Sequence, residues 1–210
     1  MSDIPDLGDV RGPVRPRRTE DFDEFYEGTP PWDIGRPQPG FVALADAGAI
    51  TGRVLDVGCG TGEHALLAAG LGLEATGVDA APTAIAKAEQ KAAERGLSAR
   101  FLVADALDLG ALGEQFDTAL DSGLFHVFED DDRARYVESL GRVLRPGGRY
   151  LMLCFSEHQP GDWGPRRVTQ AEIRASFAAG WRVDSIEADR LHVTFDGTGV
   201  AAWLAALTRE

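Results

Sequence analysis

The chain is expected to fold as an α/β domain, a mostly parallel sheet with helices on both faces that is closed by antiparallel strands. Three observations predict this. From residue 53 onward, short β-rich runs alternate with segments of helical periodicity, the pattern of a parallel sheet covered on both sides. A cluster of glycines, Gly58, Gly60 and Gly62, stands where the first of these runs should turn into a helix. Two late β-like runs lie too close together for a crossover helix, so they should pair antiparallel.

Residues 1–19 mix Pro, Gly, Asp and Arg with few apolar side chains and read as a flexible tail, with Arg15, Arg17 and Arg18 a solvated basic run. Residues 20–210 are expected to form one domain, a lid of short helices over 20–50 and a core over 51–210. The length of 210 residues and a hydrophobic content of 44% suit one such core. Phe22, Phe25 and Tyr26, at i, i+3 and i+4, mark a short helix with an aromatic face. Strands are expected at residues 53–57, 74–78, 100–103, 118–120 and 149–155. A helix over 82–95 opens on Pro82, buries Ile85, Ala88 and Ala92, and stops at Gly96. Another over 131–144 carries the apolar stripe Tyr136, Val137, Leu140, Val143 and Leu144, and ends before Pro146, Gly147 and Gly148. The acidic run 129–132 at its start suits capping and the helix dipole better than a metal. The closing antiparallel pair is expected at 182–186 and 191–195.

A net charge of −13 and a pI near 4.7 repel a polyphosphate backbone and argue against a nucleic-acid partner. Cys59 and Cys154, the two cysteines, offer neither a disulfide framework nor zinc spacing, which fits a reducing, cytoplasmic compartment. No metal site is expected. No stretch has the apolar length of a signal peptide or a membrane span. Oligomeric state leaves no mark in the sequence.

The glycine loop exposes backbone amides at the sheet's edge, which suits a nucleotide-like ligand. Its G-x-G-x-G spacing departs from the G-x-G-x-x-G of dinucleotide binders. Asp56 before the loop and Glu63 after it would repel a diphosphate and favour a cationic ligand. S-adenosylmethionine, with an ammonium and a sulfonium and no phosphate, answers that description, and its product is S-adenosylhomocysteine. Asp56 is expected to hold the amino group, directly or through water. Asp79 at the second strand's end is placed to accept from the ribose hydroxyls, and Asp105, followed by Ala106, from the adenine amino group.

With these residues in view, the sequence resembles the class I S-adenosylmethionine-dependent methyltransferases. The stretches VLDVGCGTG, GVDAAP, VADAL, FDTALDSG and RVLRPGG stand in family order, and the likeness spans about residues 20–205. The resemblance implies a Rossmann-like, doubly wound sheet of seven strands whose last is antiparallel. It implies cofactor contacts at Asp56, Gly58, Cys59, Gly60, Gly62, Asp79, Ala80, Asp105, Ala106 and Asp121. The segment PPWDIGRPQP at 30–39 is similar to the one preceding the cofactor loop in small-molecule enzymes of the thiopurine and heterocyclic-toxin type. That likeness brings Trp32 and Arg36 towards the cofactor beneath an aromatic amino-terminal lid; Trp32 reads equally well as a core anchor. The sequence lacks the Asn/Asp-Pro-Pro-aromatic tetrad of nucleic-acid amino-methyltransferases, having Asp121-Ser122-Gly123-Leu124 instead, and it has no Pro-Cys pair.

The expected reaction is methyl transfer to the O, N or S of a small aromatic or heterocyclic molecule. Alternatives are methylation of a protein, a non-catalytic S-adenosylmethionine-binding protein, and an NAD-dependent oxidoreductase on a similar sheet. His126 is the candidate general base, with packing between Phe125 and Val127 as its other reading. Acceptor contacts are expected from Phe22, Tyr26, Phe125, His126, His158, Trp163 and Arg166, with Phe25 and Phe128 completing an aromatic wall. His64 is expected to be structural, and Cys59 to have no chemistry of its own.

Overall fold

The computed structural model describes residues 23–210; residues 1–22, and with them the expected tail and Phe22, lie outside the described residues. Of the expected aromatic helix, residues 23–25 are helical. Seven strands form one sheet: β1 Val54–Val57, β2 Ala75–Asp79, β3 Arg100–Val103, β4 Phe116–Ser122, β5 Leu144–Phe155, β6 Trp181–Val193 and β7 Asp196–Arg209. Their order is β3-β2-β1-β4-β5-β7-β6. The first five run parallel, and β7 lies antiparallel between β5 and β6. Chain order reverses between β1 and β4, which opens a crevice beyond their carboxyl ends, where ligands bind in sheets of this kind.

Strand β5 shows how a period of two builds two cores. Tyr150, Met152 and Cys154 join Leu55, Val57, Tyr136 and Leu140 on one face. Leu151, Leu153 and Phe155 join Val54, Phe41, Leu66 and Ile85 on the other. Helices α1 Pro39–Asp46, α2 Glu63–Gly70 and α3 Pro82–Arg95 cover the second face; α4 Asp130–Val143 and α5 Gln170–Ser176 cover the first. Helix α3 has the bounds expected of it, with Pro82 opening it and Gly96 left-handed at its end. Helix α5 is fixed by a capping box between Thr169 and Glu172.

Four expectations need correction. The chain passes straight from α4 into β5 at Leu144, and the Pro-Gly-Gly run makes an irregularity in the ladder, not a loop before the strand. Strand β4 extends the expected 118–120 at both ends. The acidic run gives no side-chain cap: Glu129 is the N-cap without a capping bond, and Asp130 and Asp132 turn to Arg166 and Arg135. Finally, the runs at 182–186 and 191–195 are not partners. Both begin within the single strand β6, whose largely exposed middle, Glu187 to Arg190, lies at the sheet edge. Its partner is β7, whose sequence GVAAWLAAL lacks alternation because a strand between two neighbours is buried on both faces.

Candidate active site

After β1 the chain turns through Gly58, Gly60 and Gly62, all left-handed, with φ of 65°, 52° and 84°. Space as well as torsion demands glycine at two of them. A Cβ on Gly60 would lie 2.7 Å from the Tyr26 hydroxyl, and one on Gly62 within 2.9 Å of the Phe101 ring and the Ala88 methyl.

The carboxylates around this loop divide into two kinds. Glu63, expected to face the ligand, is turned away from it by α3: Lys91 Nζ and both terminal nitrogens of Arg95 donate to it at 2.8 Å. Burial works to raise its pKa, but these cations hold it below the usual range. Asp56 and Asp79, by contrast, have no cationic partner within 4 Å among the described residues. Asp56 is buried beneath the loop and accepts the Ala65 N–H at 2.9 Å. Burial, opposed by that amide and reinforced by Asp79 and Asp121, raises its pKa to about 7. Asp79 accepts from Gly60 N–H at 2.8 Å and from Ala81 N–H at 2.9 Å, and burial raises its pKa against those amides. The preference for a cationic ligand therefore rests on Asp56 and Asp79 and loses Glu63.

An ionisation displaced upward gives Asp56 a stability signature. Its contribution is full below the unfolded value near 3.8 and is lost as pH rises through about 7. Asp56→Asn keeps an acceptor for Ala65. We expect it to raise the melting temperature of the ligand-free protein clearly at pH 8 and by about half as much at pH 5.5; equal shifts at both pH values would contradict the assignment.

A strap of residues 23–38 crosses the carboxyl edge of the sheet. Asp23 accepts from Thr83 at the start of α3, and Lys87 Nζ donates to Gly28 O, each at 2.8 Å. Trp32 Nε1 donates to the Tyr26 hydroxyl at 3.0 Å, and these two rings pack with Ala81 and Ala84 apart from the main cores. Thr61 Oγ1 donates to Asp33 at 2.8 Å, with Lys91 bridging Thr61 and Glu63. At the far side Thr194 N–H meets Pro31 O, and the Gln38 amide pairs with the His192 backbone in both directions. Tyr26, expected against the acceptor, thus sits on the cofactor loop. Arg36 is exposed and has no ion pair among the described residues. Asp33, Gln38 and Lys91 were not singled out from the sequence, since their partners lie far along the chain.

Beyond β4, Asp121 proves to be a structural hub. It is fully buried, and its carboxylate accepts from Leu124 N–H at 2.8 Å, Phe125 N–H at 3.1 Å, Tyr136 OH at 2.9 Å and Tyr150 OH at 2.6 Å. With four donors and no exposed surface it has no face for a cofactor. Phe125 is likewise core, stacked on Phe177 and covered by the Arg133 guanidinium 4.5 Å from its ring centre.

His126 cannot act as the expected base in this arrangement. Its Nδ1 accepts the Phe155 N–H at 3.0 Å, so in the neutral ring the proton sits on Nε2, which donates. Burial, then Arg133 and Arg167, push its pKa down to about 3. His64 is structural as expected: Nε2 accepts the Gln38 N–H, and burial lowers its pKa to about 4 against the pull of Glu63. The Cys59 thiol is pushed up by burial and by Asp56, the reverse of activation.

The loop 157–167 is organised by Arg167, which donates to the carbonyls of Gln159, Pro160, Gly161, Trp163 and Pro165 and lies over the Phe155 and Trp163 rings. Trp163 stands edge-on to Phe155 and Phe195. Arg166 is spent on Asp130 and Glu172, and His158 is exposed with its ring against Trp203. Asp105 caps the turn after β3 through Leu107 N–H and remains exposed beside Ala106. Among the described residues no group of His, Cys, Asp and Glu is arranged to hold a metal. A shallow cleft at Leu73, Thr76, Ser98 and Arg100 lies at the amino ends of β2 and β3, the wrong end of parallel strands for this chemistry.

Residues 54–148 match the family model described as a methyltransferase domain. Over 80% of this chain and 75% of its own, the 2-heptyl-1-hydroxyquinolin-4(1H)-one methyltransferase of Mycobacteroides abscessus is 42% identical. A probable thiol methyltransferase of Arabidopsis thaliana is 28% identical over 79% of this chain and 75% of its own. A solved structure from work on the conversion of a disulfide bond into a thioacetal group during echinomycin biosynthesis superposes with a TM-score of 0.84 and 42% identity, covering 92% of this chain and 93% of that one. The chain belongs to the S-adenosylmethionine-dependent methyltransferases, and S-adenosylmethionine is its methyl donor.

Proposed function

We propose that residues 20–210 act as one methyltransferase domain whose acceptor is a small aromatic or heterocyclic molecule methylated on O, N or S. The observation that carries this is the strap: residues 23–38 are fastened to α3, the glycine loop and β6, so they cover the strand ends and favour a compact acceptor over a polymer. Two relatives are named for methylation of a hydroxyquinolinone and of thiols, which supports a small acceptor. A charge of −13 makes nucleic acid a poor partner. No helix among the described residues is long and apolar enough to cross a membrane, and we assign the protein to the cytoplasm.

In this reading Asp79 and Ala80 hold the ribose, Asp105 and Ala106 the adenine, and the loop backbone at Gly58, Cys59, Gly60 and Gly62 the amino-acid end, with Asp56 acting on the ammonium from beneath. Trp32 and Arg36 close over from the strap. When bound, the sulfonium supplies an electrophilic methyl carbon attached to a good leaving group. The protein's task is then alignment and exclusion of water, worth many orders of magnitude in rate.

Two measurements test the proposal. S-adenosylhomocysteine is expected to raise the melting temperature and NAD to leave it unchanged. Labelled methyl from S-adenosylmethionine is expected in at least one member of a panel of phenols, thiols and hydroxy-heterocycles. Label found in proteins alone, or no transfer despite binding, would overturn it.

A further inference from the structure

Two side-chain donors next to the strand ends have no acceptor among the described residues, one sealed and one open to solvent. His126 is 5% exposed; its Nδ1 is taken, and its Nε2 has no partner among the described residues yet is not sealed from solvent. Arg133, 3% exposed, has the one buried side-chain nitrogen without a partner among the described residues, Nε. Its terminal nitrogens reach only a weak contact to Phe128 O at 3.4 Å and Glu172 at 3.6 Å. A sealed donor without an acceptor, as at Arg133 Nε, costs free energy, whereas His126 Nε2 is open to an accepting ligand. The groups also share a sign. Arg133 faces His126 from α4 over the Phe125 ring, and Arg167 from the loop after β5, with its bonds made to carbonyls and none to a carboxylate. The nearby carboxylates leave these cations only partly compensated: Asp130 and Glu172 bond Arg166 at short range, with Glu172 also 3.6 Å from Arg133, Asp162 acts on Arg167 at a distance, Glu157 accepts from Trp203, and Asp121 holds its four donors. A positive spot in a chain of net charge −13 is a selective feature.

We infer that the acceptor is bound as its conjugate base, a thiolate, phenolate or comparable anion, that accepts a hydrogen bond from His126 Nε2 in the field of Arg133 and Arg167. This rests on the small-molecule reading above and names its substrate class. No general base is then required. The acidic proton leaves to solvent on binding; the anion's lone pair forms the new bond to the methyl carbon as the carbon–sulfur bond breaks with its pair retained on sulfur.

The test uses 4-nitrophenol, whose anion is coloured, titrated against the full-length protein saturated with S-adenosylhomocysteine. The bound phenol's apparent pKa is expected to fall by about one unit, a tenfold preference for the anion. His126→Asn keeps an acceptor for Phe155 N–H and removes the Nε2 donor; Arg133→Met keeps packing on Phe125 and removes the charge. Each is expected to abolish most of that fall with affinity for S-adenosylhomocysteine unchanged. A bound pKa at or above the free value, no binding, or a fall in pKa as large in both variants as in the parent would overturn the inference. Failure to bind S-adenosylhomocysteine at all would instead count against the cofactor assignment.

Discussion

Asp121→Ala is expected to lower the stability of the protein by about 3 kcal/mol or more, since each buried donor left without an acceptor costs about 1–3 kcal/mol. Four donors converge on this carboxylate: two backbone amides that set the turn after β4 and two tyrosine hydroxyls from α4 and β5. Tyr136 and Tyr150 are fully buried, so no water reaches them in compensation. Asp121→Asn retains one acceptor oxygen but sets an NH2 group against donors, and an intermediate loss is expected. The measurement is the urea midpoint at unchanged slope. Should both variants unfold with the parent, Asp121 is not the hub described, and a direct role in binding returns.

The second large effect concerns affinity. Asp79→Ala is expected to weaken S-adenosylhomocysteine binding about 100-fold, or about 2.7 kcal/mol, the loss of a carboxylate that accepts charge-assisted hydrogen bonds. The same carboxylate holds Gly60 N–H and Ala81 N–H, so the loop loses its shape together with its ligand contact. Asp79→Asn preserves one acceptor oxygen and should lose about tenfold by calorimetry. Affinity unchanged in both variants would remove Asp79 from the site.

Local patterns carried most of the fold. Helix α3 was legible because both of its ends are marked by residues with restricted or unusual torsions, Pro82 and Gly96. The parallel strands were legible as apolar runs between turns. Strand β7 was not, since an interior strand buried on both faces has no alternation, and the alanines of AAWLAAL favour helix when taken alone. At the site, the glycine loop and the carboxylates beside it could be placed from sequence, but their charge balance could not. Whether Glu63 faces a ligand depends on Lys91 and Arg95, about 30 residues away. His126 shows the same limit: its chemistry is decided by the Phe155 amide, which fixes the tautomer, and by Arg133 and Arg167, which no local motif connects to it. Asp121 entered as a ligand contact through the family resemblance; only the tyrosines folded over it show otherwise.

A crystal structure with S-adenosylhomocysteine offers the most direct test of where the donor sits. The ribose hydroxyls are expected within hydrogen-bonding distance of Asp79, about 2.5–3.2 Å, with the amino-acid end along Gly58 to Gly62 and the sulfur directed towards His126. A nucleoside lodged elsewhere on the sheet, or an Asp79 carboxylate that stays on Gly60 and Ala81 with the ribose out of reach, would contradict the assignment.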